Sequence, residues 1–287
     1  MKKCSFVLTP EEYKHSLAKG TVLGSGCKMD NVEGVSAAWA TNPETIKRIL
    51  PPPLQMAAPI VIAYISNLDG TNYAPGYNEA GIFVPVIYKG TPGAYFVSCV
   101  LDVNGAGTPM GAFLGREADG MPKKIVDKIS VTRVGDSVNA YVEMNGVRVI
   151  DINMEIGTYN TLDAQAVFGG VKSGAVVPGE TYLTKVDLDG AESGGLHFSN
   201  ARLLLNKMKT SYKEWLPGSA EVTLQPHSNV PWAELVVGKV LGGGYAKYGF
   251  GGFSTKEVQK LNTEEVMPYL LVGKYDIELL DKECNKY

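Results

Sequence analysis

Short apolar runs that are rich in β-branched and aromatic residues recur along most of this chain, and they are too short and too regularly interrupted for buried helices. The segments 35–39, 59–65, 82–88 and 94–100 read as strands, and 129–134, 138–144 and 147–152 alternate apolar with polar positions as half-buried strands do. Asn145-Gly146 between the last two predicts a tight type I′ hairpin, because both central residues of that turn need positive φ. Segments 181–188, 196–205, 220–225 and 234–240 continue the series. So many short strands with few helical intervals predict one α+β domain over 1–287, mainly an antiparallel, barrel-like sheet.

Helical signals are sparse. Thr9, Pro10 and Glu12 form a capping box that starts a helix over 10–19, ended by Gly20. Asn42-Pro43 opens a second helix that stops at Pro51-Pro52-Pro53, where backbone donors run out. Ser254 to Glu257 reads as a further capping box opening a helix. The glycine-rich stretch Gly242 to Gly252 has no Gly-Lys-Ser/Thr step and is read as a flexible loop, with Tyr245 and Tyr248 as a mobile wall over a pocket. A tail follows Asn262, and it is expected to pack on a neighbouring subunit of a homo-oligomer.

Composition narrows the functions. With 27 basic and 30 acidic residues the net charge is −3, which gives no general attraction for nucleic acid or an anionic membrane. No apolar stretch is long enough to span a bilayer, and the run after Lys2-Lys3 is broken too early for a signal peptide. Four scattered cysteines and three isolated histidines suggest neither a disulfide framework nor a metal site, and a reduced, cytoplasmic setting is expected, with no cofactor.

The chemistry concentrates in Gly115-Arg116-Glu117-Ala118-Asp119-Gly120-Met121-Pro122-Lys123-Lys124. A free lysine, with a pKa of about 10.4, is protonated near neutrality and does not attack carbonyls. Burial or a neighbouring cation lowers that value. In an extended segment Lys123 and Lys124 point to opposite sides, so burial is expected to depress Lys123 at least as much as Lys124 does.

This segment resembles the active-site signature of acetoacetate decarboxylase and its relatives, in which the first lysine forms a Schiff base. Tyr77-Asn78-Glu79, the helix ending in prolines, and Trp215-Leu216-Pro217-Gly218 are similar to other family segments, over about residues 30–262. The resemblance implies a cone-shaped or barrel sheet and a carbon–carbon lyase acting on a small keto acid, with Lys123, Glu79, Lys124 and Glu117 catalytic. Arg116, Tyr64, Met121, Tyr245 and Tyr248 are the expected substrate-binding residues. Lysines activated in this family by a second cation are a known pattern.

The chain departs from the decarboxylase pattern where an arginine and a second glutamate are expected, at Val32 and Tyr64. Three readings follow: a Schiff-base decarboxylase, a Schiff-base aldolase-dehydratase on a pyruvate-like substrate, and a non-catalytic barrel that binds a small ligand. The departure favours a carbonyl reaction other than acetoacetate decarboxylation.

Overall fold

A computed structural model describes residues 6–18 and 20–280. Its frame is a ring of strands. β1 (Met29–Ala40) lies between β3 (Ile60–Thr71) and β12 (Val240–Lys260). Beyond β3 come β4 (Tyr77–Tyr88) and β5 (Thr91–Asp102), and beyond β12 comes β11 (Leu196–Leu224). β10 (Val176–Gly190) closes the ring, antiparallel to β11 and parallel to β5 over Thr181–Tyr182. The meander β7 (Lys128–Val134), β8 (Ser137–Met144) and β9 (Val147–Ile156) extends from β11. Two short strands complete the sheet: β2 (Gln55–Met56) on β4, and β6 (Lys123–Val126) parallel to β5. The expected antiparallel architecture with ring-like closure is present.

Alternation along these strands builds two cores. Val35, Ala37, Val61, Ala63, Ile65, Ala80 and Ile82 face one side and pack with Val138, Ala140, Val142 and Ile152 of the meander. The intervening positions Val32, Leu68, Tyr77, Cys99 and Tyr248 face the other. A period of two makes this partition rigid, since a one-residue slip would exchange the faces.

The two early helices form as expected. α1 (Pro10–Ser16) begins with Glu12 N donating to Thr9 Oγ1 at 3.2 Å and Thr9 N to Glu12 Oε2 at 2.7 Å, and it ends earlier than residue 19. After the single turn α2 (Val22–Ser25), α3 (Pro43–Ile49) is capped by Asn42 and stops before the prolines. Asn145 and Gly146 have φ of 50° and 75°, as the type I′ turn requires.

Elsewhere the structure corrects the reading. Gly242 to Gly252 is no loop but part of β12, where glycines permit close approach: a Cβ on Gly243 would lie 2.6 Å from Ser36 O, and one on Gly244 would strike the Trp215 ring. Ser254 to Glu257 opens no helix, because β12 continues through it and Thr255 pairs with Asn206. Residues 234–240 are not a strand; a 3-10 turn, Trp232–Glu234, precedes β12. α4 (Thr108–Asp119) was not expected, and neither was the short α5 (Ala164–Phe168). The tail forms α6 (Thr263–Lys274) and α7 (Ile277–Leu280). α6 buries Val266, Met267 and Leu270 against Ala201 and Phe198 of its own chain. No described helix is long and apolar enough to cross a membrane.

Candidate active site

Lys123 opens β6, in register with Cys99 of β5. Its neighbour Pro122 presents its carbonyl to Cys99 N at 3.0 Å, which fixes the entry of the strand. Lys123 and Lys124 then point to opposite faces, as an extended segment demands. Lys123 is 5% exposed and its ammonium donates to Glu79 Oε2 at 2.7 Å and to Gly111 O at 3.1 Å. Glu79, 7% exposed, sits on β4 and has its second oxygen, Oε1, 2.7 Å from the Tyr64 hydroxyl, which donates to it. Tyr64 comes from β3, in register with Gly81, where a Cβ would lie 2.7 Å from the Tyr64 ring and 2.6 Å from Phe96. A continuous line Lys123–Glu79–Tyr64 results, continued by the Cys99 sulfur 3.8 Å from the Tyr64 oxygen.

The helix over this line explains two glycines. Gly111 and Gly115 are four residues apart and share one face of α4. Tyr77 fills the space at Gly111, and a Cβ on Gly115 would lie 2.5 Å from Lys123 Cε. Gly120 ends the helix at φ 73°, the left-handed position that suits glycine, and turns the chain into β6. Asp102 holds the start of the same unit, taking Asn78 Nδ2 at 2.6 Å and Gly105 N at 3.1 Å, while its carbonyl accepts from Thr108 Oγ1 at 2.7 Å.

Because the clash falls on the far end of the flexible Lys123 side chain and not on backbone, Gly115→Ala is expected to displace the amine rather than the helix. Alanine favours a helix over glycine by about 1 kcal/mol, so stability should hold. A misplacement on the scale of an ångström costs catalysis about a hundredfold. Thermal melting beside turnover checks this, and a variant with normal activity would contradict the geometry.

The electrostatics overturn one expectation. Burial presses hardest on Lys123 and pushes its pKa down, but the Glu79 charge, assisted by Cys99 and the hydrogen bond to Glu79, more than reverses this. The ammonium is therefore held above the ordinary lysine value, not below it. Burial, with Cys99 and Glu79 adding to it, raises Tyr64 well above the usual phenol range, so it carries its proton. Burial and Glu79 do the same to the Cys99 thiol, against the pull of Lys123. Transfer of one proton over the 2.7 Å contact converts the Lys123–Glu79 ion pair into a neutral amine beside a carboxylic acid.

The other expected site residues divide. Tyr248 lies on this face: its hydroxyl is 2.7 Å from Ser66 Oγ, and Glu79 acts on it electrostatically. Met121 packs against the same apolar cluster. Tyr245 is on the opposite face of β12, bonded to Glu33 with its ring under Arg133 at 4.6 Å. Glu117 is exposed on the outer side of α4, away from Lys123. Arg116 donates to the Lys123 carbonyl at 3.3 Å and lies over the Tyr275 ring at 5.0 Å, so it supports the strand from behind.

Lys124 reaches the C-terminal region, donating to Asn229 O at 2.5 Å, Tyr275 O at 3.0 Å and Val272 O at 3.2 Å, with Asp276 at 3.0 Å. Burial lowers its pKa, against Asp276 and Glu278. Its role is to tie α6 and the following turn to β6.

Residues not foreseen complete the surroundings. Tyr77 has its ring 6.0 Å from the Lys123 nitrogen and its hydroxyl 2.5 Å from that of Tyr73. Burial raises Tyr73 to about 12. Tyr77 was findable, since it shares the alternation of Glu79; Cys99 gave a signal only once its strand was paired with β6. Val32 is buried, in register with Leu68 and Tyr248, so an apolar side chain stands where a guanidinium was expected. The surface groove of about 1040 Å³ lies outside α4 and does not reach Lys123.

Comparison with known proteins matches residues 16–261 to the family described as acetoacetate decarboxylase (ADC). The chain is 28% identical over 286 residues to the "CLA biosynthesis isomerase" of Lactiplantibacillus plantarum, covering 99% of each. It is 29% identical over 218 residues to the acetoacetate decarboxylase of Chromobacterium violaceum, covering 74% of this chain and 79% of that one. Among solved structures, the acetoacetate decarboxylase of Legionella pneumophila superposes with a TM-score of 0.67 at 23% identity, covering 83% and 88% of the two chains. The enduracididine biosynthesis enzyme MppR, complexed with the condensation product of pyruvate and imidazole 4-carboxaldehyde, gives 0.63 at 17% over 88% and 95%. At these identities the two structures speak to fold.

Proposed function

Since the chain belongs to the acetoacetate decarboxylase family, we propose that it forms a Schiff base through Lys123 and uses that imine to move protons beside a ketone, as an isomerase. The observation that carries this is the line Lys123–Glu79–Tyr64, with contacts of 2.7 Å at each step. The Lys123 amine adds to the carbonyl carbon and water leaves, giving a protonated imine that acidifies the neighbouring C–H. Glu79 takes that proton, and the electron pair moves into an enamine. For a β,γ-unsaturated ketone this is a dienamine. Return of the proton at the γ-carbon, from Glu79 or through Tyr64, shifts the double bond into conjugation, and hydrolysis restores Lys123. No net oxidation or reduction occurs.

Two observations favour this over loss of carbon dioxide. The described arginines are engaged elsewhere, and Arg116 faces away from Lys123, so no guanidinium among the described residues stands ready beside Lys123 to hold a substrate carboxylate. Each lost charge-assisted contact is worth about 1.5–3 kcal/mol. In addition, a relative aligned over its full length is named an isomerase. Decarboxylation of a small keto acid is the competing reading, supported by the likeness to the Chromobacterium violaceum enzyme.

The test runs a β,γ-unsaturated ketone in deuterium oxide beside acetoacetate. The expected result is conjugation with deuterium at the γ-carbon and little carbon dioxide. Efficient carbon dioxide release without exchange would restore the decarboxylase reading.

A further inference from the structure

A second group of buried and half-buried cations lies outside the Lys123 line. Arg116 on α4, Lys185 on β10 and Lys274 at the end of α6 border the same groove of about 1040 Å³. Among the described residues none of the three meets a carboxylate at ion-pair distance. Lys185 donates to the carbonyls of Glu117 and Ala118, Arg116 to that of Lys123, and Lys274 to Thr184 O at 3.2 Å. The carboxylates nearby are otherwise placed: Asp187 is held by Arg202 at 2.8 Å, and Glu117 is exposed.

Lys274 is the unusual member. It is 6% exposed, yet its three-donor ammonium has a single main-chain acceptor. Burial, with the charges of Arg116 and Lys185, pulls its pKa down to about 8. A buried charge without a counter-ion is costly, and an anion in the groove would offset the cost. Arg116 keeps further N–H groups beyond the one given to Lys123 O.

The rest of the groove is apolar and open. Phe113, Ile125, Leu188 and Val103 line it, exposed by 58%, 40%, 41% and 61%. Exposed apolar surface continuous with a cation cluster matches a ligand with a charged head and an apolar body. We propose that this groove binds an amphiphilic oxyanion, its head among Lys274, Lys185 and Arg116 and its apolar tail along Phe113, Ile125 and Leu188. The site is distinct from the Lys123 line, because α4 stands between them: Gly111 and Gly115 face Lys123, whereas Phe113 and Arg116 face the groove.

The head chemistry is common to carboxylate and phosphate amphiphiles, and titration distinguishes them. Calorimetry on the full chain with octanoate, octyl phosphate and octanol is expected to show binding of at least one anion, with octanol weaker by about tenfold or more, the scale of a charge-assisted contact. Octanoate alone would identify a carboxylate ligand and octyl phosphate alone a phosphate ligand. Lys274→Met, which keeps an apolar stem in the same space, should remove the preference for the anions while retaining the fold by circular dichroism. Lys123→Arg should leave anion affinity unchanged. The proposal is overturned if neither anion binds, if octanol binds as tightly, if Lys274→Met binds the anions as wild type does, or if Lys123→Arg abolishes the binding.

Discussion

Lys123→Arg is expected to reduce turnover by at least about 10⁴-fold, the scale seen when a covalent nucleophile is removed. Arginine can keep the ion pair with Glu79, but its guanidinium stays protonated and cannot add to a carbonyl. The bulkier guanidinium must fit against Gly115, so stability is expected to fall by about 1–3 kcal/mol. Lys123→Ala loses the same activity and in addition strands a buried carboxylate, which costs about 3–5 kcal/mol. Turnover measured beside denaturant unfolding separates the two effects. Appreciable activity in Lys123→Arg would show that the reaction does not pass through an imine at this residue.

Glu79→Gln is expected to move two quantities in opposite directions. Turnover should fall by about 10²–10⁴-fold, the range for loss of a positioned base. Imine formation at a given neutral or mildly alkaline pH should become faster. In the wild type burial is the largest single influence on Lys123, but the Glu79 charge and hydrogen bond, together with Cys99, outweigh it and hold the pKa above the ordinary lysine value. Without that charge burial remains, so the pKa falls below it and the fraction of free amine at fixed pH rises. The midpoint of imine formation against pH therefore shifts down in the variant. The profile, followed by single-turnover reduction with borohydride, checks the sign. An upward shift would mean that Glu79 does not govern the Lys123 proton.

The frame was legible because the strands are half-buried: alternation at 129–134, 138–144 and 147–152 and the Asn145-Gly146 turn carry their own signals. β12 was not, because glycine has little strand propensity. Its glycines are there for contacts with Ser36 and Trp215, partners far away in the chain. α4 was missed for a similar reason. Gly111 and Gly115 weaken a local helix signal and exist to admit Tyr77 and Lys123.

The site was partly legible. Opposite orientation of Lys123 and Lys124 follows from an extended backbone alone, and the structure places them so. The direction of the Lys123 pKa could not be read that way, since it depends on how close Glu79 comes across the β4–β5–β6 pairing. Arg116 and Glu117 adjoin the lysines in sequence, but α4 turns their side chains outward. Tyr245 and Tyr248 looked equivalent in a loop; in a strand, three residues apart, they fall on opposite faces.

If Lys123 is the nucleophile, it alone among the amines should carry the imine. Wild-type protein incubated with a small ketone, reduced with borohydride, digested and mapped by mass is expected to carry one ligand equivalent on Lys123, with Lys124 unmodified. No adduct across a range of ketones, or an adduct confined to Lys124, would show that Lys123 is not the nucleophile.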